Sequence, residues 1–325
     1  MMIDPSLPQE NDNLSLSIDR TLEKRIDQML EGALELRQWL FDVFRQGLGN
    51  LQTQPDSAWE AIAAGMSNAK LTAIARRIRK LKKVSTLPNW PAIFLQELAD
   101  YYLFAEAFTR IRELPPNYQE ELLNQGGRTP KEKDVIDTQQ AIEDQWLIIG
   151  QKLGQDEDLR FQSTWLLGNQ SAKTALLLEY AWRDTPFKYE WKVGAAFAGK
   201  MTFYPGLYPL RAAISEFQPS SDPFTGLLSH DAFVDFATLY ASAVGKNPWV
   251  GAFPCLLENV TAVAKNGDIW LVDKQKNAIP VAAIRDSHWK IVAHSGGYPI
   301  TIFGEWREGL FSALSVIDNG SIVSL

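Results

Sequence analysis

The residues with the clearest capacity for chemistry are cations. Lys70, Arg76, Arg77, Arg79, Lys80, Lys82 and Lys83 crowd into one short stretch, and such a cluster suits contact with phosphate groups or with an acidic partner. It equally suits a solvated helix face, since cations near a helix C-terminus favour the helix dipole. No aromatic platform for bases is interleaved with it and no helix-turn-helix pattern surrounds it, which weighs towards the solvated face. The nucleophile and metal-ligand inventory is small: His230, His288 and His294 are the only histidines and Cys255 the only cysteine. Read as a strand, Trp289 to His294 places His288 and His294 on one face but about 20 Å apart, too far to share a metal. Cys255 follows Phe253-Pro254 with no basic neighbour to lower its pKa and reads as core. One cysteine builds neither a disulfide framework nor a Cys-based zinc site.

The loop from Gly168 to Thr174 ends in Lys-Thr, as a phosphate-binding loop does. The glycine required before the lysine is Ala172, however, the first glycine stands one residue too close, and a strand follows where a helix N-terminus must receive the phosphates. The loop therefore reads as a hairpin tip. Asp156, Glu157 and Asp158 fall in an expected turn, where solvation accounts for them. No glycine-rich dinucleotide fingerprint is present, and the sequence names no reaction.

The elements that position these residues fall into a helical and a strand-rich half. Leu22, Ile26, Met29, Leu30, Ala33, Leu36, Leu40, Val43 and Phe44 recur at three- and four-residue spacing, one stripe of a long helix from about Ser17. Gly47 and Gly49 end it. Ser57 to Glu60 has the form of a capping box and opens a second helix. After a break near Gly65 to Asn68, a third helix buries Leu71, Ile74, Ile78 and Leu81 and displays the cations. A fourth starts after Asn89, with Pro91 in its first turn, and is apolar over a wide arc through Phe94, Leu98, Tyr101, Tyr102 and Phe108. That arc marks the centre of a bundle. Pro115-Pro116 stop it, a short helix runs to Gly126-Gly127, and Thr129-Pro130-Lys131-Glu132 opens one more.

Near Gln145 the period changes. Leu159, Phe161, Ser163, Trp165 and Leu167 alternate with their neighbours, and Leu176, Leu178, Tyr180 and Trp182 share one face beyond the loop, which predicts a hairpin. Phe197, Met201 and Phe203 continue the sheet, and Pro205-Gly206 has the order of a type II turn. After a linker-like SSDPFTGLL, Ser229 can cap a helix carrying Phe233, Phe236, Ala237, Tyr240 and Val244. Val260, Ala262 and Ala264 lead into Asn266-Gly267, a strong hairpin signal, and Ile269 and Leu271 return. Trp289, Ile291 and Ala293 mark a further strand, then Ile300, Ile302 and Trp306, and a last pair surrounds Asn319-Gly320.

Across 325 residues, a hydrophobic content of 46 % and a charged content of 22 % are ordinary for a globular chain of about two domains. The net charge of −7 excludes a chain that wraps nucleic acid along its whole length. No run reaches the ~20 apolar residues of a membrane span, and the N-terminus lacks the pattern of a secretory signal. A reducing cytoplasm is the expected compartment.

Several segments resemble the region that follows the zinc finger in bacterial SWIM zinc-finger family proteins: ELRQWLFDVFRQGL (Glu35 to Leu48), LPNWPAIFLQELADYYLFAEAFTRIRELPP (Leu87 to Pro116), QWLIIGQKL, TWLLGNQSAKTALLLEYAW, FYPGLYPLRA (Phe203 to Ala212) and GEWREGLFSALSVI (Gly304 to Ile317). The family's finger needs Cys-x-Cys followed by Cys-x-His, which Cys255 alone cannot supply. Either an upstream segment carries the finger or the chain lacks it, so zinc and finger-mediated DNA binding are not carried over and no other cofactor is expected. The resemblance implies an interaction role, beside the ring ATPases and von Willebrand A-type proteins whose genes tend to accompany the family.

The expectation is an α+β protein: a flexible lead-in over 1–16, an N-terminal helical bundle over 17–140, a central antiparallel β-sheet over 141–218, and one further helix with a small, barrel-like C-terminal β unit over 219–325. Its expected role is a protein-interaction or scaffold module without catalysis, catalytic residues or bound metal. The alternatives are a nucleic-acid-binding adaptor using the basic helix 70–83 and an enzyme of unrecognised type.

Overall fold

The computed structural model describes residues 10–156, 158–222, 224, 230, 232–282, 287–318 and 321–325, the side chains of 10–19, 156, 287 and 288 excepted. Residues 1–9 of the lead-in expected over 1–16, the Ser229 cap, most of the 220–228 linker, Glu157 and the Asn319-Gly320 turn lie outside the described residues, and the remaining lead-in residues, 10–16, belong to the first helix. Two compact units divide the chain, Met1–Thr129 and Pro130–Leu325.

The first unit is helical. Helix α1 (Glu10–Gln46) turns at Gly47, where φ is 85°, into α2 (Leu48–Thr53), followed by α3 (Asp56–Asn68), α4 (Thr72–Val84), α5 (Trp90–Thr109), a single 3-10 turn (Ile111–Glu113) and α6 (Pro116–Gly126). The α1 stripe forms as its spacing predicts: Ile26, Met29, Ala33, Leu36, Leu40 and Val43 are buried, whereas Phe44 stays half exposed at 49 %. Helix α5 buries Phe94, Leu98, Tyr101, Phe104 and Phe108 against α1, α4 and α6 and is the centre of the bundle. Tyr102, expected inside the arc, is exposed. The capping box at Ser57 does not form. Helix α3 begins two residues earlier, at Asp56 behind Pro55, whose extended backbone fixes the entry without a side-chain cap.

The second unit opens with α7 (Glu132–Thr138), whose N-cap is Lys131 and not Thr129. A five-stranded antiparallel sheet follows, β1 (Ala141–Asp156), β2 (Leu159–Gly168), β3 (Thr174–Trp182), β4 (Ala196–Phe203) and β5 (Ala212–Ser220), in the order β3-β2-β1-β4-β5. A bridge from Leu176 to Arg211 and the hydrogen bond from Leu176 N–H to the Leu210 carbonyl bring β3 back to β5, so the sheet curls on itself. Trp146, Ile148, Leu166, Leu177, Phe197 and Met201 fill the inside.

Helix α8 (Phe233–Lys246) leads to the second sheet, β6 (Phe253–Lys265), β7 (Asp268–Val272), β8 (Ala278–Pro280), β9 (Ile300–Arg307), β10 (Leu310–Asp318) and β11 (Ser321–Ser324), in the order β11-β10-β9-β6-β7-β8. Val281 bridges to Phe311 and the Ala282 N–H donates to the Phe311 carbonyl, which closes β8 towards β10. Asn266 and Gly267 take φ of 55° and 88°, the signature of a two-residue type I′ hairpin between β6 and β7.

Residues 287–295 correct the sequence reading. The expected strand Trp289-Ile291-Ala293 is helix α9 (Ser287–Ser295), with Ile291 buried and Trp289 70 % exposed. A short apolar alternation does not separate strand from helix, and the Gly296-Gly297 pair at positive φ terminates the helix. The 20 Å spacing inferred for His288 and His294 falls with the strand; the His288 side chain lies outside the described residues. Gly206 is not among the glycines at positive φ, so Pro205-Gly206 makes no type II turn. Among the described residues no helix is long and apolar enough to cross a membrane.

Candidate interaction surfaces

The predicted cations sort by what they touch. Arg77 reaches from α4 to α5: its Nε donates to Glu97 Oε2 at 3.1 Å, its Nη2 to Asp100 Oδ2 at 3.0 Å, and its guanidinium lies 4.9 Å from the Tyr101 ring centroid. Arg79 makes a two-pronged bond to Glu60 of α3, at 2.8 and 2.6 Å. Lys82 donates to the Gln54 carbonyl at 3.0 Å and pairs with Asp56 at 3.5 Å. These three fasten α4 to its neighbours. Arg76, Lys80 and Lys83 follow at i, i+4 and i+7 on an exposed stripe spanning about 10 Å, and Lys70 precedes the helix at φ 64°.

The residues set aside as non-reactive have structural roles. Burial pushes the Cys255 thiol up, away from a nucleophile's range. At the Lys173 loop, Asp144 accepts hydrogen bonds from the N–H groups of Gln145, Gln170 and Ser171 at 2.7, 3.0 and 2.8 Å. Burial alone would raise its pKa, but the Ser171 hydroxyl and those N–H groups outweigh it and hold the carboxyl below its usual value. A carboxylate thus occupies the place where a phosphate loop would offer its amides.

A partly exposed apolar feature lies on the outer face of the β2–β3 hairpin. Facing pairs there are Trp165 with Leu176, Ser163 with Leu178, Phe161 with Tyr180 and Leu159 with Trp182. At one end Trp165 is fully buried, together with Leu147, Ile149 and Leu167, against Leu256, Phe303 and Leu314 of the second sheet. Towards the other end the same face emerges, until Tyr180 and Trp182 are 52 % and 56 % exposed. Leu176, Leu178, Tyr180 and Trp182 share one face, as their alternation predicts, and it is the emerging one; Ala175, Leu177 and Ala181 are the buried set of β3. Gly154 supports the patch from β1, because a Cβ there would stand 2.1 Å from the Phe161 ring. The Phe161 side chain therefore lies flat across the strand. Arg183 covers Trp182, its guanidinium 5.6 Å from the ring, and pairs with Asp158 at 3.4 Å.

Sequence reasoning missed a cleft of about 140 Å³ where the end of α1 meets α2 and α3. Trp39 and Trp59 stand there with centroids 6.5 Å apart and planes at 71°, beside Asp42, Gln46, Asn50 and Gln54. The Trp59 indole N–H is buried without a hydrogen-bond partner, so packing against Trp39 and Phe94 holds the ring. Trp39, Asp42, Val43 and Gln46 follow the i, i+3, i+4, i+7 rule. That second stripe, ending at Gly47, was the available signal. Among the described residues, no group of three or more His, Cys, Asp or Glu is arranged to hold a metal ion.

No curated protein and no solved structure matches this chain. Residues 24–125 match the family described as the SWIM-associated four-helix bundle domain, which places the likeness in helices α1 to α6.

Proposed function

We propose that the protein acts by associating with another protein, as a non-catalytic interaction module, with the outer face of the β2–β3 hairpin as its docking surface. The observation that carries the reading is the passage of one sheet face from a fully buried Trp165 to a half-exposed Tyr180 and Trp182. Aromatic residues are enriched at the energetic centres of protein interfaces, because they bury large area at low conformational cost. Trp289 and Tyr298 are more exposed still, at 70 % and 76 %, but the chain just before α9 lies outside the described residues. The family likeness makes ring ATPases and von Willebrand A-type proteins the first partners to examine, in the reducing cytoplasm that suits a chain with one buried cysteine.

The test is a photo-crosslinking amino acid placed at position 182, with a second placed at exposed Glu31 on α1 as control. A discrete adduct with one partner protein from position 182 and none from position 31 is expected. Equal labelling from both positions, or no adduct from either, contradicts the reading.

A second reading, contact with an anionic polymer through α4, rests on the outward stripe that includes Arg76 and Lys83. Three of the seven cations that suggested it are engaged in ion pairs within the bundle, which leaves it the weaker of the two.

A further inference from the structure

We infer that the α1–α3 cleft is a binding site for an alkylammonium group, a cation carrying methyl or methylene substituents. The argument begins with size. A cleft of about 140 Å³ is smaller than the roughly 300–1,000 Å³ of sites that enclose a whole small molecule, so it admits one head group or one side chain. Shape comes next. Trp39 and Trp59 meet at 71° with centroids 6.5 Å apart, and two nearly perpendicular indoles form a corner. Trp is the strongest cation–π partner among side chains, and aromatic corners of this kind are how proteins recognise quaternary ammonium groups.

Charge then selects the ligand. Among the described residues lining the cleft, Asp42, one helical turn from Trp39, is the only ionisable side chain, so the lining itself contributes one negative charge. Its current partners compete weakly. Gln38 donates to it at 3.2 Å and Arg45 lies 3.6 Å away with a side chain 76 % exposed, and exposed pairs of that kind contribute little. The floor of Val43, Leu51 and Ile62 suits methyl or methylene groups, whereas a bare, strongly hydrated ammonium would lose its water there. Asp42 disfavours an anion, and a neutral apolar group would gain nothing from the carboxylate. The rings hold their places without a ligand, because Trp59 is also packed edge-on against Phe94 at 5.8 Å. The inference is independent of the hairpin surface, which lies in the other unit.

Two sources supply such a group, a free small cation and a methylated lysine of a partner chain. The full chain is titrated by calorimetry with choline, with tetramethylammonium chloride and with a short peptide bearing trimethyllysine. The neutral isostere 3,3-dimethylbutanol serves as the control for shape. Expected is saturable binding of at least one cationic probe, with the isostere weaker by about tenfold. The tighter of choline and the peptide identifies the source. Asp42→Asn, at a partly exposed position that leaves the fold intact, should weaken the cation by about three- to tenfold without shifting Tm. Trp39→Leu should do the same or more. Failure of every cationic probe to bind, equal binding of the isostere, or an Asp42→Asn variant that binds as well as the wild type overturns the inference.

Discussion

The indole N–H of Trp165 on β2 donates to Glu305 Oε1 on β9 at 2.9 Å, while Lys152 Nζ on β1 approaches Glu305 Oε2 at 3.3 Å. Glu305 is a carboxylate in the seam between the two sheets, 6 % exposed, with both oxygens partnered. Beside it the Ser315 hydroxyl donates to the Ile149 carbonyl, and the Trp165 and Phe303 rings meet edge-on at 6.3 Å. Removing one member of such a buried set leaves the others unsatisfied. Glu305→Ala should cost about 2–4 kcal/mol, whereas Glu305→Gln, which still accepts from the indole, should cost about 1 kcal/mol. Urea unfolding of the two variants checks the order, and equal losses would contradict the role given to the indole bond.

The Lys173 loop should be acid-sensitive. Because the Asp144 carboxyl is held below its usual value in the folded chain, its contribution is present above the unfolded pKa of about 3.9. It is lost as pH falls through the lower folded value. The Ser171 amide shift, followed by NMR, should titrate with a midpoint below that of an ordinary aspartate and lose the transition in Asp144→Ala. A midpoint at or above the ordinary value is the opposing result.

The N-cap residue of helix α8, Ala232, has no side chain that can cap it, and a remote carboxylate stands in. Asp273, which follows β7, accepts from the Phe233 N–H at 3.0 Å through Oδ2 and from the Asn277 N–H at 2.8 Å through Oδ1. Burial works against ionisation there, but the Asn277 side chain and the N–H groups of Phe233, Asn277 and Gln275 win and lower its pKa. Asp273→Ala should cost about 1–2 kcal/mol, by analogy with the loss of an N-cap. Thermal unfolding reads it, and a Tm unchanged from the wild type speaks against a capping role.

The cations of α4 should divide in two by mutagenesis. Arg77→Ala removes bonds to Glu97 and Asp100 and strands two partly buried carboxylates, for a loss of about 1–3 kcal/mol. Charge reversal at Arg76 and Lys83 should change stability by less than about 0.5 kcal/mol. The same double reversal is the clean probe for nucleic-acid or acidic-partner contact. Salt-dependent binding to duplex DNA or RNA that survives it removes the outward stripe as the contact.

Much of the architecture was legible. The α1 stripe, the α5 centre, the β2–β3 hairpin and the Asn266-Gly267 turn all follow from spacing and turn chemistry, because each is determined by residues adjacent in sequence. Failures occurred where partners distant in sequence decide. Trp146 and Ile148 point inside the first curled sheet while Leu147 and Ile149 face the second, so β1 shows no alternation to read. On β3 alternation was visible, but which face is buried depended on where the second sheet ends. Capping was misread at Ser57 and Thr129 because proline and extended backbone had already fixed the helix entries. The remote cap at Asp273 and the Trp165–Glu305 bond join residues 40 and 140 positions apart, and no local pattern announces either.

The most direct measurement of the central claim is the affinity of the partner captured at position 182 for the wild-type chain and for Tyr180→Ser and Trp182→Ser variants, with Tm recorded for each. Loss of an exposed aromatic at the centre of a docking face should weaken binding by about 2 kcal/mol, roughly thirtyfold, with Tm unchanged. Binding that survives both substitutions would contradict the account and place the docking surface elsewhere on the molecule.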